Sequence, residues 1–164
     1  MQSLKSAKVD RLKLLMSGIK SRRKIMHSIL VPVDGSKHAL NALKHALSIL
    51  QAGLASQIHV LNVQPIIVPL SDFYDYDIIE KAQHDEAEKA MRSACKLLDK
   101  AGIDYIKASR IGPVATTIVD YAKSKKCGLI IMGTRGMGSL GSLIMGSTSN
   151  QVVHLTKLPV TLVK

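Results

Sequence analysis

GLIIMGTRGMGSLGSLIMGSTSN, Gly128–Asn150, is the stretch on which the fold turns. Leu129–Met132 is apolar at every position, as a strand covered on both faces requires. Five glycines then fall within the fourteen positions Gly133–Gly146. STSNQVVHLTK follows and reads as a helix, and LPVTLV as a further strand. Strand, glycine loop, helix and strand in that order make a parallel unit, with the loop at the carboxyl end of its first strand. Backbone amides in such a loop can approach an anion closely.

The same alternation runs upstream. ILVPVDGS is a β-branched run ending in a turn, and Ser36 is placed to cap a helix over 37–50 with Leu40, Leu43, Leu47 and Leu50 on one stripe. QIHVLNV (57–63) is a second strand, followed by a loop with Pro65 and Pro69 and the acidic SDFYDYD. A long helix over 79–100 has Ala87, Ala90, Met91, Ala94, Leu98 and Ala101 on one face, with Gly102 ending it. IDYIKASR is the third strand, and GPVATTIVDYAKSKK the third helix, with Pro113 in its first turn. Five strands alternating with four helices predict an α/β fold: an open, doubly wound, five-stranded parallel sheet in a Rossmann-like three-layer sandwich. Ligands of such sheets sit beyond the carboxyl ends of the strands. The candidate rim is therefore Val33-Asp34-Gly35, Val60 to Val63, Ile111-Gly112-Pro113, and Gly133 onward.

Composition bounds the function. The chain of 164 residues fits one compact domain, and with no Trp and one Phe its core must be aliphatic. No apolar run is long enough to span a bilayer. Cys95 and Cys127 match no metal or redox spacing and read as two reduced thiols of a cytoplasmic protein. The six histidines show no ligand spacing, and His59, inside a strand, reads as packed. Residues 1–24 hold eight lysines and arginines against Asp10 alone, so this segment carries +7 of the net +11. The chain thus divides into a basic extension, 1–24, and a domain, 25–164. The extension has a weak helical stripe, Leu12, Leu15, Met16 and Ile19, and an apolar run too short for a secretory signal. A loosely docked solvated arm, a membrane-surface helix, a transit peptide and a nucleic-acid contact are the readings left open.

Three phosphate-loop patterns fit the glycines. Gly136, Gly138 and Gly141 match the dinucleotide fingerprint, but no Asp or Glu follows Gly133 to hold a ribose. Gly133, Gly138 and Ser139 outline a P-loop without its lysine, for no Lys lies between Lys126 and Lys157. The third pattern is Gly133-x-x-Gly136, nine residues, then Gly146-Ser147. Its glycines turn the chain off the strand, and Gly146-Ser147-Thr148 begins a helix whose free N–H groups face the same anion.

G-x-x-G-x9-G-[ST] after an LIIMG strand is similar to the ATP-binding signature of the universal stress protein A family. ILVPVDGS, HVLNV, GPVATTIVDYAKSKKCGLIIMGTRG and LPVTLVK also resemble that family, over about residues 26–164. The resemblance implies the adenine nucleotide alpha hydrolase-like fold and an ATP site. Pro32, Val33 and Asp34 would lie near ribose and base, and the Val60 backbone would read the adenine edge. Met132, Gly133 and Gly136 would wrap ribose and phosphate, while Gly146, Ser147 and Thr148 would contact the phosphates, with Mg²⁺ balancing their charge. Arg135 is a candidate phosphate contact. Gly128 departs from the family, which often has Asp there. The resemblance further implies a homodimer through the edge strand, residues 159–163.

No residue that would position an attacking water stands out, nor a cation for a transferring phosphoryl group. The sequence therefore favours an ATP-loaded regulatory module of the stress response over a turnover enzyme, with slow hydrolysis or autophosphorylation at most. Two rivals remain: an adaptor acting on nucleic acid or membrane through the basic arm, and an adenylating enzyme of the same fold.

Overall fold

The computed structural model describes residues 28–68, 76–136 and 145–164. The basic extension, most of the acidic stretch 72–77, and Met137, Gly138, Ser139 and Gly141 lie outside the described residues. Five strands, β1 (Ile29–Pro32), β2 (Ile58–Gln64), β3 (Tyr105–Ile111), β4 (Leu129–Gly133) and β5 (Val160–Val163), alternate with four helices. The helices are α1 (Lys37–Gln51), α2 (Tyr76–Lys100), α3 (Val114–Ser124) and α4 (Ser147–Leu155). All pairings are parallel, in the order β3-β2-β1-β4-β5. β1 is the centre, and the chain steps to one side for β2 and β3 and to the other for β4 and β5. The strand order reverses between β1 and β4.

The strand alternation sorts the core into two layers. Ile29, Val31, Ile58, Val60 and Ile131 pack with Ala42, Leu43 and Ala46 of α1 and with Ala87, Met91, Ala94 and Leu98 of α2. Leu30, Leu61, Ile130 and Met132 pack on the other face with Ile118, Val119 and Ala122 of α3 and Val152 of α4. Both faces of the sheet are covered, which is why β1 and β4 are almost wholly apolar.

Local signals account for most boundaries. The Ser36 Oγ accepts from the Ala39 amide at 3.1 Å, capping α1. Gly102, at φ +65, follows the end of α2. The α1 stripe is centred differently from the leucine repeat: Ala39, Ala42, Leu43 and Ala46 are buried, while Leu40, Leu47 and Leu50 flank them, because small side chains let the helix sit close to the sheet. Ala101 is exposed beyond the end of α2, and Pro113 stands at the N-cap of α3, just before its first turn.

The sheet has two edges. β3 carries Lys107 and Arg110, charges that discourage pairing with another strand. β5 reads VTLV, half-buried at each position and without a charge.

Candidate functional site

A cavity of about 750 Å³ opens beyond the carboxyl ends of β1 and β4, at the reversal of strand order. Pro32, Val33 and Asp34 line it from the end of β1, and Met132, Gly133, Arg135 and Gly136 from the end of β4. Met145, Gly146, Ser147, Thr148 and Ser149 form the wall at the start of α4. Leu61, Val63 and Pro65 of the β2 end, with Val114 and Ile118 of α3, make the remaining lining mainly apolar.

Asp34 is held by the turn that follows β1. Its Oδ1 accepts from the Ser36 amide at 3.0 Å, across Gly35 at φ +86, a conformation that favours glycine. Behind the rim, the Asn62 side-chain amide donates to the Val33 carbonyl at 2.7 Å, and Gln64 donates to Asn62 Oδ1 at 2.8 Å. The Gln83 amide, from α2, donates to the Pro65 carbonyl at 2.7 Å. Two lining residues are thus fixed by buried amides of residues outside the cavity.

The glycines after β4 have distinct neighbours. A Cβ on Gly133 would stand 2.8 Å from the His38 carbonyl carbon and Cβ, so the end of β4 runs directly against the first turn of α1. A Cβ on Gly136 would stand 2.5 Å from Asp34 Oδ2, which brings the two rims of the cavity together. Gly146 donates its N–H to the Thr134 carbonyl at 2.7 Å, and Ser149 Oγ donates to the same carbonyl at 3.1 Å.

Among the described residues no side chain caps α4, so its first-turn amides, Ser147 and Thr148 among them, stand at the cavity wall without a described acceptor. They give that wall a positive helix end. Arg135 lies beside it, and its buried Nε has no partner among the described residues. Asp34 is the sole carboxylate among the described lining residues. The arrangement suits a ligand with an apolar ring at one end and an anionic group at the other. The described lining residues include no His, Cys or Lys; their polar side chains are Asp34, Arg135, Ser147, Thr148 and Ser149.

Ten of the eleven residues expected at the site line this one cavity: Pro32, Val33, Asp34, Met132, Gly133, Arg135, Gly136, Gly146, Ser147 and Thr148. Val60 does not. It lies in mid-strand, paired with Val31 on one side and Lys107 on the other, and its side chain is fully buried in the layer under α1 and α2. Its peptide groups belong to the ladder, and Leu61 and Val63, nearer the strand end, take the place expected of it. The segment Ile111–Pro113 does not line the cavity either; α3 reaches it through Val114 and Ile118. Ala39, Pro65, Val114 and Ile118 line it from outside the candidate segments. Val63 lay within the expected rim segment, but nothing local marks Ala39 or Ile118.

The model of the Universal stress protein family matches residues 26–164. A universal stress protein of Methanocaldococcus jannaschii is 31% identical over 153 residues, covering 92% of this chain and 89% of that protein. One from Thermus aquaticus is 33% identical over 138 residues, covering 84% of this chain and 98% of its own length. The structure of universal stress protein UspA from Lactobacillus plantarum superposes with a TM-score of 0.73 at 28% identity, over 85% of this chain and 98% of that one. More distant structures share the fold: a universal stress protein in complex with cAMP (TM-score 0.65, 20% identity, covering 86% of this chain and 99% of that one) and one from Archaeoglobus fulgidus in complex with dAMP (0.62, 22%, covering 85% and 99%). Matched by the family model over residues 26–164 and by relatives at 31% and 33% identity, the chain belongs to the universal stress protein family.

Proposed function

We propose that this universal stress protein binds ATP in the β1–β4 cavity and serves as a nucleotide-dependent regulatory module of the stress response in the cytoplasm. The observation that carries the reading is the start of α4, without a side-chain cap among the described residues, beside Arg135 and facing Asp34 across a mainly apolar cavity. The cAMP and dAMP complexes of relatives support an adenine nucleotide as ligand. The base lies against Val63, Met132 and Ile118, the ribose near Val33 and Asp34, and the phosphates at Gly133, Gly136 and the Gly146–Thr148 amides. Arg135, whose buried Nε has no described partner, supplies the cation.

Mg²⁺ fits as a companion of the phosphates. The described lining offers one carboxylate, and no described cluster of three metal-ligating side chains exists, so the ion would be held mainly by phosphate oxygens and water. With no His, Cys or Lys among the described lining residues, and only the Ser147 and Thr148 hydroxyls to accept a phosphoryl group slowly, the protein holds nucleotide far longer than it hydrolyses it. The open β5 edge pairs with its copy in a homodimer, covering an uncharged strand that would otherwise invite aggregation.

The test is equilibrium titration with ATP, AMP and adenosine, with and without Mg²⁺. Affinity falls in that order, and Arg135→Gln lowers ATP affinity by about tenfold or more, the worth of one charge-assisted hydrogen bond, while leaving adenosine unaffected. Folded wild-type protein that binds no adenine nucleotide sinks the proposal.

A further inference from the structure

Gly146 stands at the N-cap of α4, where helices usually carry Ser, Thr, Asp or Asn. A side chain of that kind would accept from the Thr148 or Ser149 amide and so occupy a donor. Glycine leaves those donors clear. The first bond within the helix runs from the Asn150 N–H to the Gly146 carbonyl at 3.0 Å, so the Ser147, Thr148 and Ser149 amides have no acceptor inside it. An uncapped first turn frays readily, however, and donors that fray do not hold an anion in one place. α4 has only nine residues, too few for a helix to be stable by itself. Its buried Val152 packs in the layer shared with α3, more than a turn beyond the helix start.

The start is secured by Ser149. This residue is 2% exposed, and its Oγ lies 3.1 Å from the Thr134 carbonyl and 2.9 Å from the Gly146 carbonyl, with its proton shared between them. The Gly146 N–H donates to the same Thr134 carbonyl at 2.7 Å. Thr134 is in turn fixed to the sheet, for it follows directly on β4 and its N–H donates to the Val163 carbonyl of β5 at 2.8 Å. Through one carbonyl, then, the first turn of α4 is tied to the ends of two strands. In a capping box the side chain of the third helical residue accepts from the backbone. Ser149 holds that position and donates. A donating hydroxyl occupies only carbonyls, so it anchors the helix start and leaves every first-turn amide facing the cavity.

We propose that Ser149 is the positioning residue for the nucleotide phosphates, acting through the Ser147 and Thr148 amides that it holds in place. The inference rests on the nucleotide reading of the cavity and adds to it the residue that sets how tightly the phosphates, as opposed to the base, are held.

The experiment is calorimetric titration of the full chain with ATP and with adenosine, as wild type, Ser149→Ala, Ser149→Thr and Val152→Ala. Ser149→Ala loses about tenfold in ATP affinity, roughly the worth of one hydrogen bond, and keeps its adenosine affinity within about twofold. Ser149→Thr restores a hydroxyl that can reach the carbonyl three residues back, and recovers most of the loss. Val152→Ala opens a gap between α4 and α3; it lowers the unfolding midpoint but leaves the ratio of ATP to adenosine affinity unchanged. A Ser149→Ala protein that binds ATP like wild type overturns the inference and leaves the nucleotide reading standing. So does a parallel loss of ATP and adenosine, or a ratio shifted as far by Val152→Ala as by Ser149→Ala, either of which would make the serine a packing residue. Wild-type protein that binds no adenine nucleotide overturns both.

Discussion

Gly133 and Gly136 are three residues apart in one motif, yet the absence of a side chain serves different ends. At Gly133 a methyl group would meet backbone atoms of α1 at 2.8–2.9 Å, and a helix cannot yield locally. Gly133→Ala is expected to cost roughly 1–3 kcal/mol by chemical denaturation, as overpacking does. At Gly136 the atom met is the end of the Asp34 side chain, which can swing aside. Gly136→Ala should leave stability within about 0.5 kcal/mol but displace the carboxylate, and so lower nucleotide affinity. Thr134 between them is buried with its Oγ1 unpaired among the described residues. Thr134→Val removes that polar atom at constant shape and should raise the unfolding free energy by up to about 1 kcal/mol. The sequence marked both glycines through their spacing. It held no sign of which neighbour each one meets, because His38 and Asp34 are brought to them by the sheet.

At the scale of elements, β2 and α3 share a buried polar contact. His59 Nδ1 lies 3.2 Å from the Tyr121 hydroxyl, with the rings edge to face and Arg110 over the tyrosine. Burial first, and the nearby Lys125 cation second, hold His59 below its ordinary pKa. The unfolded chain therefore takes up the proton more readily, so the contribution of the neutral ring is complete above about pH 6.5 and is lost as the pH falls through the folded value. In urea titrations from about pH 7.5 down to 5, the wild-type protein should lose more stability than His59→Gln, which keeps a polar partner for Tyr121 but does not titrate. β5 offers a second test. The Pro159 and Val163 carbonyls point to β4, so by alternation the Val160 N–H points to the open side. Val160→Pro deletes an outward donor and no bond to β4; sedimentation should show a dimer become a monomer. Element types were legible from apolar periodicity and from Ser36 and Gly102. The burial centre of α1 was not, since leucines outweigh alanines in any hydrophobic pattern, whereas contact with the sheet selects for size. That Leu61 and Val63 line the cavity and Val60 does not has a related reason: a strand reads alike along its length, and its end is defined by neighbours.

Taken whole, the molecule is a sheet with a recognition cavity at one edge and a concentration of lysines at the other. The first of these was foreshadowed by a glycine spacing, and strand parity and order then gathered ten expected residues around it. The second was hidden in the net charge: counting located the +7 of the extension, but only topology reveals that Lys125, Lys126 and Lys157 begin at the same edge. The far end of the chain has its own address. The Val163 carbonyl accepts from the Thr134 amide at 2.8 Å, and the Lys164 carbonyl accepts from Asn41 of α1 at 3.0 Å. Anything joined after Lys164 thus starts beside the cavity mouth, while anything joined ahead of Ser28 starts a full strand away. A solvent-sensitive dye at position 164 would report on ligand arriving, the same dye near Ser28 would stay silent, and an affinity handle is best kept off the carboxyl end.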